Sequence, residues 1–401
     1  MFEYHSGGVQ LKVWIDQQAY YSDASLCQQA EAVSRHSAVF HHAAIMPDGH
    51  PGFGMPIGGV AAFEGMICPY GVGMDIGCGM LSSRLNLPAS TISDRGMREA
   101  IKEAIKAAIP MGFSHRNSSD HMRGEAGLLP TAVQDLPGPI SEVASKDAVL
   151  RQCGTLGGGN HFIEFQADEQ GGLWLTIHSG SRNVGAQVCR RYHDLAVEAC
   201  KAAKTPIPCK ELAVLAVDSV EGKRYIEAMN FCLQFALDNR QVMAHDVLQA
   251  IRRMLKGAAF EESINIHHNY AALESHFGHD VWVHRKGATS ALAGQLGIIP
   301  GSMGTSSYIV RGRGNPESFQ SCSHGGGRLM SRSKAKNSIS MTMFKEAMGD
   351  VVCDFDPSIL DESPAAYKNI ETVMGNQTDL VEVVHTLRPL IAIKAVKCKE
   401  E

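Results

Sequence analysis

Apolar positions along the chain fall into a helical period in some stretches and into short blocks in others. Between Asp94 and Ala108, Met97, Ile101, Ile105 and Ala108 recur at helical spacing with charges between them, which predicts an amphipathic helix. Val184–Ala203 and Val220–Leu255 carry long helical patterns with few breakers, and Ser141–Cys153 and Ala365–Leu387 read as further helices. HFIEF (His161–Phe165) and LWLTIH (Leu173–His178) are strand-like, and the glycine pair 171–172 between them predicts a hairpin. VWVHR (Val281–Arg285), SYIVRG (Ser307–Gly312) and LIAIKAV (Leu390–Val396) read as strands. PDGHPGFGMPIGG (Pro47–Gly59) holds too much Pro and Gly for a helix and predicts turns. Gly294–Gly304 and Gly312–Gly327 read as glycine-rich loops, and the polar stretch Ser114–Gly138 as a mobile surface loop. Strands and helices intermix without βαβ alternation, and neither a repeat nor a linker is evident. The expectation is an α+β fold, with residues 1–401 as one large domain of mixed sheets and long helices.

Composition narrows the function classes. With 44% hydrophobic and 20% charged residues the chain suits a globular protein with a real core. A net charge of −5 argues against a surface built broadly for nucleic acid, although a local basic patch can still serve one. No secretory segment or membrane-spanning run is legible, so the expected location is the cytoplasm. The eleven cysteines are irregularly spaced without a CxxC pair, which excludes a disulfide framework and zinc-ribbon spacing. No GxxxxGK[ST] occurs, so a P-loop is excluded. No GxGxxG lies between a strand and a helix, which argues against a Rossmann site, and a KxDG nucleotidyl-transfer lysine is absent.

The chemistry-bearing residues stand beside glycine at element ends. Asp75 and Cys78 lie in GMDIGCGM, Asn160 and His161 in GTLGGGNHFIE, and His178 in HSGSR. His268 and Asn269 lie in HHNY, and His324 in SCSHGGGR. Any one of these alone reads as a core residue or a turn. Together, Asp, Cys and His form a borderline ligand set for zinc, manganese, iron or cobalt, and five ligands exceed one tetrahedral site. A bridging thiolate and two close ions suit phosphoryl and nucleotidyl chemistry. Gly154–Asn160, Pro300–Ser307 and His324–Arg328 can each aim backbone N–H groups at anionic oxygens. His324 is the candidate nucleophile, because neutral imidazole attacks phosphorus. Arg311–Lys336 forms a local basic patch, read either as a solvated face or as contact with phosphates.

From about Ile45 to Lys394 the chain resembles the RtcB family of RNA-splicing ligases. The motifs that carry the resemblance read MPDGHPGFG, GVGMDIGCGM, GTLGGGNHFIE, HSGSR, HHNY, KGA, GIIPGSMG, SCSHGGGR, MSRSKAK, AYKNI and LRP. It implies an RtcB-like fold around a central metal cleft. It also implies a GTP- and Mn²⁺-dependent ligase joining RNA 3′-phosphate or 2′,3′-cyclic phosphate ends to 5′-hydroxyl ends, in RNA repair or tRNA splicing. One manganese ion would take Asp75, Cys78 and His161, the other Cys78, His178 and His268. His324 would be guanylylated. Nucleotide contacts would fall on Asn160, His161, Phe162, Ile163 and Glu164, and on His268 and Asn269. Further contacts would come from Pro300, Gly301, Ser302, Met303 and Ser307, from His324, Gly325, Gly326 and Gly327, and from Tyr367 and Lys394. Arg182 and Arg328 would meet RNA phosphates. The implied protein is a monomer without membrane attachment, with RNA ends as partners and an archease-type activator as a candidate helper.

This chain departs from better-known members at Gly49, Pro51 and Phe53, where they read Val, Leu and Lys, and at Asn369, where they read Asp. None of these positions is a proposed ligand. Two other readings remain on the residues alone: a dinuclear phosphoesterase or cyclic phosphodiesterase with water as nucleophile, and a nucleotide- or RNA-binding regulator without turnover.

Overall fold

The computed structural model describes residues 1–117 and 136–396, so residues 118–135 of the expected Ser114–Gly138 loop lie outside the described residues. The architecture is α+β, as expected. Two sheets carry it. The smaller has six strands in the order Phe2–Tyr4, Gln10–Val13, Val39–Phe53, Met55–Phe63, His279–Lys286 and Asn269–His276. The larger has seven in the order Phe260–His267, Gly79–Pro88, Gly172–Ser179, Phe162–Ala167, Val381–Ile393, Ser307–Gly312 and Leu296–Ile299, each pair antiparallel.

Alternation along the larger sheet separates two jobs. Ile163, Phe165, Leu173, Leu175 and Ile177 point to one face and pack on Ile101 and Ile105 of the Arg95–Ala108 helix and on Met243, Val247 and Ile251 of the Val220–Ile251 helix. Phe162, Glu164, Gln166, Thr176 and His178 fall on the other face by the period of two. The amphipathic helix forms where expected. Asp94 caps it by accepting the Met97 N–H at 2.8 Å. The two long helices also form, as Arg182–Ala203 and Val220–Ile251, and the hairpin of Phe162–Ala167 with Gly172–Ser179 turns on Asp168.

Several expectations are corrected. Pro47–Gly59 is not a run of turns but most of a β-hairpin, with Gly54 at φ +77° as the turn. Its Pro and Gly are absorbed as register shifts around His50. Ser141–Cys153 is not one helix: Gly138–Ser141 and Lys146–Gln152 are separate, the second capped by Ser145. The glycine-rich stretches 294–304 and 312–327 contain the strands Leu296–Ile299 and Ser321–Ser323. The expected Ala365–Leu387 helix is only Ile370–Gly375, capped by the Asn369 side chain. Beyond it, the β-branched run Val381, Val383, Val384 and Thr386 continues into Pro389–Ile393 as a single strand, bonded on both sides within the larger sheet.

Two neighbours on the Val220–Ile251 helix hold the glycine-rich loops against the sheet ends. The fully buried Arg240 donates to Gly77 O (3.1 Å), Ser179 O (2.8 Å) and Asn265 Oδ1 (2.7 Å). Asn239 accepts the Thr155 N–H and donates to Ser179 Oγ and Gly180 O. Removing Arg240 strands several buried acceptors. Arg240→Met is expected to lower the unfolding free energy by about 2–4 kcal/mol, read as a shift in the urea midpoint.

Candidate functional site

Antiparallel register assembles the cluster. Gly79 lies opposite Ser179 and His267, Met80 opposite His178, and His178 opposite Phe162. Cys78, His161, His178 and His268 therefore stand at one end of neighbouring strands. His268 occupies the single residue between Phe260–His267 of the larger sheet and Asn269–His276 of the smaller, so the site lies on the seam of the two sheets. Gly180 must be glycine, because a Cβ there would come within 2.2 Å of Asp75 Oδ1.

Cys78 Sγ lies 3.2 Å from His178 Nε2 and 3.4 Å from His161 Nε2. His161 Nε2 is 2.9 Å from Asp75 Oδ2, and His178 Nε2 is 3.3 Å from His268 Nε2. The outer ring nitrogens of two of these histidines face carbonyls, His161 Nδ1 at Leu156 O (3.0 Å) and His178 Nδ1 at Asn160 O (3.2 Å). Carbonyls only accept, so those nitrogens donate, which aims His178 Nε2 at Cys78 Sγ and His161 Nε2 at Cys78 Sγ and Asp75 Oδ2, the ring orientation usual for metal-bound imidazole. Donor atoms of Cys78, His161 and His178 all lie within 4.8 Å of one another, and Asp75 Oδ1 and His268 Nδ1 have no partner. Five donor side chains, Asp75, Cys78, His161, His178 and His268, converge here, which fits a divalent cation, and the S/N/O donor set fits a borderline one.

Electrostatics agree. Burial pushes the Cys78 thiol well up, with the Asp75 charge adding, so the bare protein holds a thiol that an ion would deprotonate. Burial alone would raise Asp75, but the hydrogen bond and charge of His161 outweigh it and leave the carboxyl below its usual range. Burial and neighbouring imidazoles hold His178 and His268 well below the usual imidazole range.

His324 stands beside this cluster, its ring centroid 4.8 Å from that of His268. The fully buried Asp48 orients it: Asp48 Oδ2 accepts His324 Nδ1–H at 2.6 Å and the backbone N–H groups of His324 and Gly325. The opposite nitrogen, Nε2, has no hydrogen-bond partner among the described residues. His324 also lines a cavity of about 570 Å³ with Asn160, Phe162, Glu164, His178, Pro300–Met303, Gly325–Arg328, Tyr367 and Lys394. That size suits a nucleotide-sized ligand. Burial pushes the Glu164 carboxyl up to about 8, and Gln166 donates to it at 2.9 Å while also donating to Ser307 Oγ at 3.0 Å.

Of the other expected residues, Arg328 lines the cavity, whereas Ile163, Asn269 and Arg182 lie outside its lining. The Ile163 side chain packs in the core on the opposite face of its strand, so only its backbone borders the cavity side. Asn269 donates to Asp75 O and accepts the Gly287 N–H, fixing the metal loop. Arg182, at φ +59°, lays its guanidinium over Gly157, where a Cβ would fall 1.9 Å from Nη2, and reaches within 3.2 Å of His161 Nδ1. Arg328 lies over the Tyr367 ring at 5.0 Å and donates to Asp361 O. Of the departures, Phe53 is an exposed ring edge-on to Tyr70, and Asn369 is a helix cap that Asp would serve equally.

Residue reasoning misses Asp48, Lys368 and Glu362. An acid inside the Pro/Gly-rich MPDGHPGFG was the available signal for Asp48. Lys368 donates to Pro47 O and Gly49 O and so holds that same stretch. Glu362 lies in a polar segment that reads as surface, and nothing in its spacing marks it.

Comparison with known proteins adds independent support. The family model described as "tRNA-splicing ligase RtcB" matches residues 29–395. The "RNA-splicing ligase RtcB" of Escherichia coli strain K12 is 38% identical, covering 96% of this chain and 97% of that protein. The "tRNA-splicing ligase RtcB" of Archaeoglobus fulgidus is 32% identical over 90% of this chain and 89% of its own.

Buried histidines also set a pH limit on the metal-free fold. Burial lowers His50 to about 4, and His178 and His268 lie well below 6.5. In the unfolded chain these groups titrate near 6.5, so below that pH the unfolded state takes up protons that the folded state refuses. The stability that these histidines contribute is complete above pH 6.5 and is lost as pH falls from there towards 4. The urea midpoint of metal-free protein is expected to drop steadily from pH 7 to pH 5, with His50 alone costing about 2 kcal/mol by pH 5.

Proposed function

The chain belongs to the RtcB family of RNA-splicing ligases, and from that premise we propose that it seals RNA 3′-phosphate or 2′,3′-cyclic phosphate ends to 5′-hydroxyl ends, with GTP as co-substrate and manganese as metal. The observation that carries the reading is His324. Its Nδ1–H is held by Asp48, its Nε2 has no hydrogen-bond partner among the described residues, and it opens on a nucleotide-sized cavity beside a cluster of metal-type donors.

Asp75, Cys78 and His161 would hold one manganese ion and Cys78, His178 and His268 the other, with the sulfur shared. Bound there, the ions supply charge stabilisation for phosphoryl oxygens. The remaining work falls to the chain. Asp48 keeps the His324 proton on Nδ1 and takes up the charge that grows on the ring as Nε2 attacks the α-phosphorus of GTP. A P–N bond forms, the P–O bond to the β-phosphate breaks, and pyrophosphate leaves. An RNA 3′-phosphate oxygen then attacks the same phosphorus, returns His324 to neutral imidazole and carries the guanylate away. The 5′-hydroxyl attacks the RNA phosphorus and expels GMP. A cyclic end is first opened by water to the 3′-phosphate.

Glu164 lines the cavity and, in its ionised form, would accept the guanine N1–H and amino group, with Gln166 fixing its orientation. Arg182 and Arg328 serve RNA phosphates. Residues 1–401 act as one catalytic domain, a monomer of the cytoplasm, with an archease-type activator as a candidate partner. No described helix is long and apolar enough to cross a membrane.

Incubation with α-labelled GTP and manganese, followed by denaturation, is expected to leave acid-labile, alkali-stable label on the polypeptide. His324→Ala and Cys78→Ala should each abolish it, and Asp48→Asn should slow it by about a hundredfold or more, because it loses the charge that orients and balances the imidazole. Wild-type protein that stays unlabelled under varied metals, while still hydrolysing cyclic phosphate ends, would establish the phosphoesterase reading instead.

A further inference from the structure

We propose that Glu362 is a positioning residue for guanylyl transfer: it fixes the geometry of the cationic wall of the cavity at the expense of that wall's affinity for polyphosphate. The inference rests on the transfer reading above. Glu362 is 2% exposed, yet it lines the cavity. Its Oε1 accepts from Arg332 Nη1 at 2.6 Å and Arg328 Nη1 at 3.4 Å. Its Oε2 accepts from Tyr367 Oη at 2.7 Å and Lys394 Nζ at 2.8 Å.

Those four donors come from three parts of the chain, the segment of Arg328 and Arg332, the segment of Tyr367, and Lys394. Arg328 directly follows the His324–Gly327 loop. Lys394 follows the Val381–Ile393 strand and also donates to Gly159 O and His161 O, at 3.4 Å each, next to a metal-ligand position. One carboxylate therefore joins the loop that carries the nucleophile to the loop that carries Asn160 and His161.

The charge balance shows what this costs. An anion entering the cavity meets Arg328, Arg332 and Lys394, and it also meets the Glu362 charge, which repels it in a poorly screened place. A wall built only to bind phosphate would omit the acid. Lys and Arg side chains are rotamer-rich; Asp361 also accepts from Arg332 at 2.7 Å and, through its carbonyl, from Arg328 at 2.8 Å, and Glu362 ties both to Lys394 in one arrangement. Holding them in one arrangement favours a productive approach to phosphorus over tight ground-state binding. An ion pair that merely held the fold together would behave differently: its loss would weaken binding and transfer together.

The test uses the full-length, metal-loaded protein. Glu362→Gln keeps the shape and one acceptor oxygen and removes the charge. Two quantities are measured: the Kd for tripolyphosphate and the single-turnover rate of label transfer from α-labelled GTP at saturation. The expected result is tripolyphosphate binding about threefold tighter and label transfer about tenfold slower, the mark of an interaction spent on the transition state. Weaker tripolyphosphate binding in Glu362→Gln, or no change in either quantity, overturns the proposal. Arg332→Met provides a second variant at a side chain that is 45% exposed. It should weaken tripolyphosphate binding, the opposite sign, and a tightening there would equally overturn the proposal. If wild-type protein takes no label, the transfer reading fails by itself, while the tripolyphosphate shifts still judge the charge role of Glu362.

Discussion

The crowding of metal-type donors into one buried place is the constraint around which this molecule is built. A sulfur and three imidazole nitrogens approach within 3.2–3.4 Å of their neighbours in a buried place. The carbonyls of Leu156 and Asn160 take the Nδ1 protons of His161 and His178, which turns the opposite nitrogens inward. Gathering so many acceptors away from water costs free energy that a shared cation would offset. The surrounding structure has to over-determine it, and the buried Arg240 and Asn239, gripping the carbonyls of the glycine loops, do much of that.

Chemistry was easier to read from the chain than architecture. Glycine-flanked Asp75, Cys78, His161, His178 and His268 announce themselves because ligands need short, unobstructed approach, and that need leaves a local mark. The Arg95–Ala108 helix was legible for a similar reason, since period and cap are local. What failed was whatever tertiary pairing decides. Pro47–Gly59 carries turn residues, yet bulges let it pair with Met55–Phe63. The Val381–Ile393 strand was hidden behind a short capped helix and a helix-compatible mixture of apolar and charged residues. Only two waiting neighbours, Phe162–Ala167 and Ser307–Gly312, make it a strand.

Orienting groups were the other illegible class. Asp48 is 276 residues from His324, and Glu362 meets Arg328 and Lys394 from 34 and 32 residues away. A buried acid whose partners come from distant segments has no periodicity to betray it. In sequence it looks like any surface carboxylate, and only the folded chain shows which acids are enclosed. The division is physical: ligands are recognised by what they touch, whereas the residues that aim them are recognised by where the chain brings them.

The Val381–Ile393 strand has a consequence for biosynthesis. It is the last described strand to leave the ribosome, and it sits in the interior of the larger sheet, not at its edge. Until it inserts, Phe162–Ala167 lacks its outer neighbour, and the stretch bearing Asn160 and His161 lacks the lysine that follows the strand. A growing chain thus lacks the buried Lys394–Glu362 pair, and the cavity wall it belongs to, until the final pairing step.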